Sequence, residues 1–166
     1  MIELRLAKIA MTGSMALLTF LVASGNVTDY GSNFNFVQHV LSMDTTFADN
    51  NLHWRAITNP AVWHLGYWAI IVGEAVTCAA YMVGTAMLVR NLKARGAVFN
   101  NGKHWVYVAT ALAVLVWFLG FTVIGGEWFA MWQSTTWNGQ QSAFRIYMTA
   151  LGVGTFVALP DTDISR

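Results

Sequence analysis

The sequence predicts an all-α membrane protein, an antiparallel four-helix transmembrane bundle with a structured periplasmic cap. Composition gives the first support, because 56% of the residues are hydrophobic and 10% are charged, whereas soluble domains carry roughly a quarter charged residues. The second observation is that the apolar residues form four long runs, each close to the roughly 20 helical residues that cross a bilayer. Backbone amides in hydrocarbon need internal partners, so these runs are predicted to be helices.

The four predicted spans cover residues 6–27, 61–89, 106–124 and 143–159 of one 166-residue domain. The first begins near Lys8 and could also be the core of a signal peptide, with "VASG" as a cleavage site. Its apolar run is longer than a usual signal core, so we expect an uncleaved span. Before the second, "TNP" supplies a polar cap and a proline in the first turn, which marks a helix start.

The placement of lysine and arginine predicts the orientation of the bundle. With the N-terminus inside, the outer side holds only Arg55 and Arg145 of the nine basic residues. The inner side holds Arg5, Lys8, Arg90, Lys93, Arg95, Lys103 and Arg166. This asymmetry follows the positive-inside rule. We therefore expect a multi-pass protein of the bacterial inner (cytoplasmic) membrane with both termini cytoplasmic, outer loops at 28–60 and 125–142 and an inner loop at 90–105.

The first outer loop contains the segment "SNFNFVQHVLSMD". Asn33 is a candidate cap for a short helix, in which Val37, Val40 and Leu41 would share one face. This pattern predicts an amphipathic helix that lies on the membrane or on the bundle.

The second outer loop, "EWFAMWQSTTWNGQQSAFR", connects the third and fourth spans. Its Asn-Gly pair is a strong turn signal, and its tryptophans suit an interfacial aromatic belt. Three interpretations remain open: a folded cap docked on residues 34–43, a surface for a partner subunit, and a quinone or lipid headgroup site. The residues predicted to form the cap or partner surface are Trp128, Trp132, Gln133, Trp137, Asn138, Gln140 and Gln141.

Three charged residues are predicted to be buried and able to bind a ligand. Glu74 lies near mid-membrane, where a carboxyl group must be protonated, paired or in a wet cavity. Its role is either a proton-relay or ligand-binding carboxyl or a hydrogen bond across the bundle. Glu127 and Arg145 are the other two, and we consider an ion pair between them. Beside Glu74, Gly66, Gly73, Thr77 and Gly84 form a stripe typical of close helix contact.

Metal, haem and hydrolytic chemistry find little support in the sequence. His64 and His104 fall on opposite sides of the predicted membrane and cannot share one iron, and the histidines lack a tight ligand spacing. The sequence contains no nucleophile elbow, no phosphate loop and no HExxH motif. We therefore assign no catalytic residue, no metal ligand and no cofactor.

Three segments resemble a known family: "FVQHVLSMDTTF", "WRAITNPAVWHLGYW" and the 127–145 loop. They are similar to a bacterial, mostly proteobacterial, family of predicted small integral membrane proteins, which is classed as a domain of unknown function. The resemblance covers nearly the whole chain and implies a four-span inner-membrane protein. It implies no activity and carries over no site residue, and the closing "PDTDISR" matches none of its motifs.

These observations favour a non-catalytic accessory or scaffolding subunit of a larger inner-membrane assembly, such as a respiratory complex. The alternative is a small-molecule site within the bundle, for a quinone, a lipid or a proton-linked solute, centred on Glu74. The expected partners are the lipid bilayer and other membrane-protein subunits or further copies of this chain. A net charge of +1 gives no reason to expect a nucleic acid.

Overall fold

The computed structural model describes residues 2–163, and within them the regular structure is entirely helical. Two 3₁₀ turns, His53–Arg55 and Met131–Gln133, interrupt the connections between helices, and a π-helical segment, Val114–Trp128, continues α5 without a break. Arg166, one of the predicted inner-side charges, lies outside the described residues. The α-helices are α1 Ile2–Thr28, α2 Tyr30–Ser42, α3 Pro60–Arg90, α4 Gly96–Asn101, α5 His104–Ala113 and α6 Gln140–Ala158.

Three helical stretches are long and apolar enough to cross a membrane: Ile2–Thr28, Pro60–Arg90 and Gly96–Trp128. They coincide with the first three predicted spans. The fourth predicted span falls on α6, a 19-residue helix that is not among these three. Two glutamines and Arg145 in its first two turns make α6 more polar than the others.

Local signals explain where the second and third helices begin. Pro60 opens α3, and the side chain of Asn59 accepts a hydrogen bond from the Ala61 amide at 3.0 Å, as "TNP" predicts. The predicted Asn33 cap is wrong. Helix α2 starts at Tyr30, after a break of one residue at Asp29, so Asn33 lies inside the helix.

The four long helical units pack side by side. Helix α1 packs against α3, α3 against α5, and α6 against α5, the π-helical segment and α1. Glycines let α3 approach its neighbour, because a Cβ on Gly84 would lie 2.9 Å from Val106 Cγ2 and one on Gly73 would lie 2.8 Å from Val116 Cγ2. Gly73 and Gly84 of the stripe therefore make the close helix contact that its spacing predicts, whereas Gly66 faces Leu41 and Val37 of α2.

The π-helical segment is unusual for its length of 15 residues, since π-helices occur mostly as single turns inside α-helices, often at functional sites. Its last hydrogen bond joins residues five positions apart, as in a π-helix: the Phe129 amide donates to the Ile124 carbonyl oxygen at 3.0 Å. This segment supplies Gly120 and Phe121 to the walls of the cavities described next.

Candidate functional site

Glu74 is the buried charged residue at the centre of α3. It lies about 21 Å of helix rise from Pro60 and is 1% exposed. The amide of Asn26 on α1 donates a hydrogen bond to Glu74 Oε2 at 2.6 Å. The Tyr67 hydroxyl in turn donates to the Asn26 carbonyl oxygen at 2.9 Å. These bonds link α1 to α3 and fix the position of the carboxyl group.

A cavity of about 270 Å³ lies beside Glu74. Polar side chains from α1, α2, α3 and α6 reach it, and three aromatic side chains form flat parts of its wall. The polar residues are Asn26, Asn33, Tyr67, Glu74 and Ser142, and the aromatic ones are Phe36, Trp117 and Phe121. We call this space the Glu74 cavity. It places a buried carboxyl group beside room for a small molecule.

A second, apolar cavity of about 440 Å³ adjoins the first. It lies between α2, α3, α5 and the π-helical segment, and its walls are apolar side chains and glycines. The two cavities have four wall residues in common: Phe36, Val37, Ile70 and Phe121. A polar compartment and an apolar compartment therefore meet across one shared wall.

The predicted cap residues contact α2 and the loop that follows it. Gln133 Oε1 accepts hydrogen bonds from the Phe47 amide at 3.1 Å and from Asn50 Nδ2 at 2.9 Å. The Trp137 ring stacks on His39, with ring centroids 4.7 Å apart. Segment 127–139 is thus held against α2 by ring stacking and against the following loop by amide hydrogen bonds.

The remaining predicted cap residues have separate positions. Asn138 accepts a hydrogen bond from the Gln140 amide at 3.1 Å, and the Gln140 side chain packs over Gly126. Gln141 is exposed, and so are large parts of Trp128 and Trp132.

Two of the three charged residues predicted to be buried are exposed: Glu127 and Arg145. Within residues 2–163 the structure forms no ion pair between them. Arg145 follows the buried Ala143 by two residues, which turns its side chain about 200° around α6, away from the buried face. The expectation of burial therefore holds for Glu74 alone.

Replacing Gln133 by alanine is expected to release the loop after α2. The change removes the acceptor of two hydrogen bonds, which should cost about 1–2 kcal/mol locally. Amide hydrogen exchange at Phe47 should then become roughly tenfold faster, since each 1.4 kcal/mol corresponds to a factor of ten. Gln133→Glu keeps an acceptor oxygen and should retain the protection, and Gln141→Ala at an exposed site should change nothing. Equal exchange at Phe47 in wild type and Gln133→Ala would refute this role.

A buried charge cluster at the other end of the helices was missed by the sequence reasoning. Asp161 Oδ2 lies 2.6 Å from both Lys8 Nζ and Lys103 Nζ, and all three side chains are buried. Lys103 also donates to the Leu159 carbonyl oxygen at 2.7 Å. Burial alone would raise the pKa of Asp161, but hydrogen bonds from Lys103 and Lys8 outweigh burial and hold this pKa below its usual range.

Arg5 extends this cluster to the end of α3. Its guanidinium donates to the carbonyl oxygens of Leu92, Ala94 and Thr162 at 2.7–2.8 Å and lies 4.6 Å above the Phe99 ring. Three of the predicted inner-side charges, Arg5, Lys8 and Lys103, are therefore buried rather than at the surface of a loop. A sequence signal did exist for Lys8, which falls inside the first predicted span, residues 6–27, where a charged side chain needs a partner.

The histidines make local contacts. His39 Nδ1 lies 2.8 Å from Asp44 Oδ2, and the Tyr30 hydroxyl lies 2.8 Å from His64 Nδ1. Within residues 2–163, no group of three or more His, Cys, Asp or Glu side chains is placed to hold a metal ion.

Comparison with known protein families identifies a match over nearly the whole chain. The family model described as "Predicted small integral membrane protein (DUF2165)" matches residues 4–160. No curated protein and no solved structure matches the chain.

Proposed function

Because the chain belongs to this family of predicted small integral membrane proteins, we propose that it crosses the bacterial inner membrane as an antiparallel four-helix bundle. Contacts at the helix ends support this topology, since Arg5 at the start of α1 reaches Leu92 after the end of α3. Lys103, just before α5, likewise reaches Leu159 after the end of α6. In this arrangement both termini are cytoplasmic, and segment 127–139 with α2 forms a cap on the periplasmic side.

The function that the geometry supports best is the binding of a small molecule at Glu74. The observation that carries it is a carboxyl group, 1% exposed, at the wall of the Glu74 cavity. Polar and ionisable residues inside a membrane are costly and usually mark a binding site or a transport pathway. A purely structural Glu74 would need its hydrogen bond to Asn26 and no adjoining space.

The test is to extract small molecules from the protein isolated in native lipid nanodiscs and to identify them by mass spectrometry. We expect one species to be enriched with wild type and lost from Glu74→Gln, which keeps the side-chain shape and the bond to Asn26. Glu127→Gln is the matched control, because it makes the same chemical change at an exposed position. Identical extracts from all three proteins would refute a binding site at Glu74.

A second candidate function is that of an accessory subunit of a larger membrane assembly. Its support is a cluster of exposed aromatic residues where the 3₁₀ turn His53–Arg55 meets segment 127–139. Trp54 is 71% exposed and packs edge-on against Trp128. The Arg55 guanidinium lies 4.4 Å from the Trp128 ring centroid. Tryptophan and arginine are the residues that most often dominate protein interfaces.

Native gel electrophoresis in mild detergent separates the two candidates. An accessory subunit should migrate in a complex much larger than 18.3 kDa, and Trp54→Ala should release it, whereas Glu74→Gln should not. A chain that migrates alone in every sample would leave the small-molecule site as the remaining function.

A further inference from the structure

We propose that the ligand is a neutral amphiphile of the quinol type, whose hydroxyl-bearing ring binds beside Glu74 and whose apolar chain occupies the adjoining apolar cavity. This inference rests on the proposed small-molecule site and adds the chemical class of its ligand. It joins two observations, the buried carboxyl group of the Glu74 cavity and the shared wall between that cavity and the apolar one.

The Glu74 cavity selects for a neutral head group that donates hydrogen bonds. The Glu74 carboxyl group offers acceptor oxygens, of which Oε2 already accepts from Asn26. A ligand carboxylate or phosphate would bring a buried charge into a space whose described wall residues include no lysine, arginine or histidine, and burial of an unpaired charge is costly. Fatty acids and anionic phospholipids therefore fit poorly, whereas a hydroxyl group can donate to Glu74 without added charge.

The walls of the same cavity favour a flat ring over a slender alcohol. Phe36, Trp117 and Phe121 line it from α2 and the π-helical segment, and aromatic rings pair well in stacked or edge-on arrangements. Asn33 and Ser142 add further hydrogen-bonding groups at the wall. A ring with hydroxyl groups on opposite sides can form a hydrogen bond to Glu74 and, at the same time, one to Asn33 or Ser142.

The apolar cavity accommodates the apolar chain of the proposed ligand. Its volume of about 440 Å³ lies within the range of known ligand pockets, roughly 300–1,000 Å³. Apolar cavities stay dry and take up apolar molecules. Phe36, Val37, Ile70 and Phe121 belong to both walls, so the two cavities are direct neighbours. The apolar chain of a ligand whose ring lies in the Glu74 cavity has to pass between these four side chains to enter the apolar space.

The experiment measures quenching of tryptophan fluorescence in nanodiscs by reduced decylubiquinone, under anaerobic conditions, and by the same ring without the chain. Gly120→Leu fills the apolar cavity, since a Cβ on Gly120 would meet nothing closer than the Leu115 carbonyl oxygen at 3.8 Å. Gly152→Leu is the matched control, because a Cβ there has no neighbour within 4 Å and Gly152 lines neither cavity.

We expect Gly120→Leu to weaken binding of the long-chain quinol at least tenfold and to change binding of the ring alone by less than twofold. Gly152→Leu should change neither, and Glu74→Gln should weaken both. Retained binding of the ring alone also shows that Gly120→Leu is folded. Each comparison uses one probe across variants, so partitioning of the chain into lipid cancels.

Three results would overturn the proposal: no binding of the quinol to wild type, equal long-chain affinity in Gly120→Leu, or tighter binding of decanoate than of the quinol. None of them overturns the site itself, since another molecule lost from the extract of Glu74→Gln would still establish small-molecule binding there.

Discussion

Asp161→Asn is expected to lower the free energy of unfolding by about 3–5 kcal/mol, the cost of breaking a buried ion pair by removing one partner. Lys8 and Lys103 both lie 2.6 Å from the Asp161 carboxylate and are almost fully buried. An asparagine keeps the shape of the side chain but leaves two ammonium groups without a negative charge. The loss should therefore exceed that of an ordinary polar substitution.

The measurement is thermal unfolding in detergent, where this change should lower Tm by roughly 6–20 °C for a chain of this size. Asp163→Asn is the control: Asp163 is exposed and accepts a hydrogen bond from the Gly96 amide, which an asparagine oxygen can also accept. Its effect should stay within about 0.5 kcal/mol. Similar Tm values for the two variants would show that the cluster does not stabilise the fold.

The lowered pKa of Asp161 determines how the Tm difference between wild type and Asp161→Asn depends on pH. A carboxyl group whose pKa is lower in the folded state stabilises the fold above its unfolded pKa, about 3.9. That contribution is lost as the pH falls through the folded pKa. The Tm difference between wild type and Asp161→Asn should thus be constant from pH 5 to 8 and shrink below about pH 4.

Gly84→Ala is expected to destabilise the protein by about 1–3 kcal/mol, the usual cost of adding a methyl group to a packed core. The new Cβ would lie 2.9 Å from Val106 Cγ2 and 3.2 Å from the Val106 amide nitrogen. Backbone atoms cannot move aside as a flexible side chain can. Helices α3 and α5 would have to separate, which also affects the contact of Gly73 with Val116.

Gly25→Ala provides a control with the opposite expected sign. Gly25 lies in α1, and a Cβ there has no neighbour within 4 Å. Alanine in a helix is favoured over glycine by about 0.5–1 kcal/mol, so Tm should rise slightly. If both variants shifted Tm in the same direction by the same amount, close packing at Gly84 would not be the cause.

Local patterns allowed much of the fold to be predicted. Apolar runs located α1, α3 and the unit formed by α5 and the π-helical segment. "TNP" located the start of α3, and the glycine spacing located its close contacts at Gly73 and Gly84. Glu74 was identified because a carboxyl group at mid-membrane depth is costly. Each of these inferences depends on residues within a few helical turns of one another.

The features that the sequence did not reveal depend on distant residues. Lys8 and Asp161 are 153 positions apart, and neither segment alone shows that they meet. The outward direction of the Arg145 side chain depends on which face of α6 is buried, and that face is determined by the packing of α6 against the other helices. The cavities were also unpredictable, because they arise where the π-helical segment, α2 and α3 leave space between them.

The bond between Lys8 and Asp161 also bears on how the protein is made. Synthesis runs from the N-terminus, and at roughly 5–20 residues per second the ribosome reaches Asp161 about 8–30 s after Lys8. Throughout that interval the first helix carries Lys8, whose final partners, the Leu159 carbonyl oxygen and the Asp161 carboxylate, do not yet exist. Closure of this end of the molecule is therefore one of the last events of biogenesis, and a ribosome that stalls before residue 161 leaves a chain in which the Lys8 ammonium group lacks its carboxylate partner.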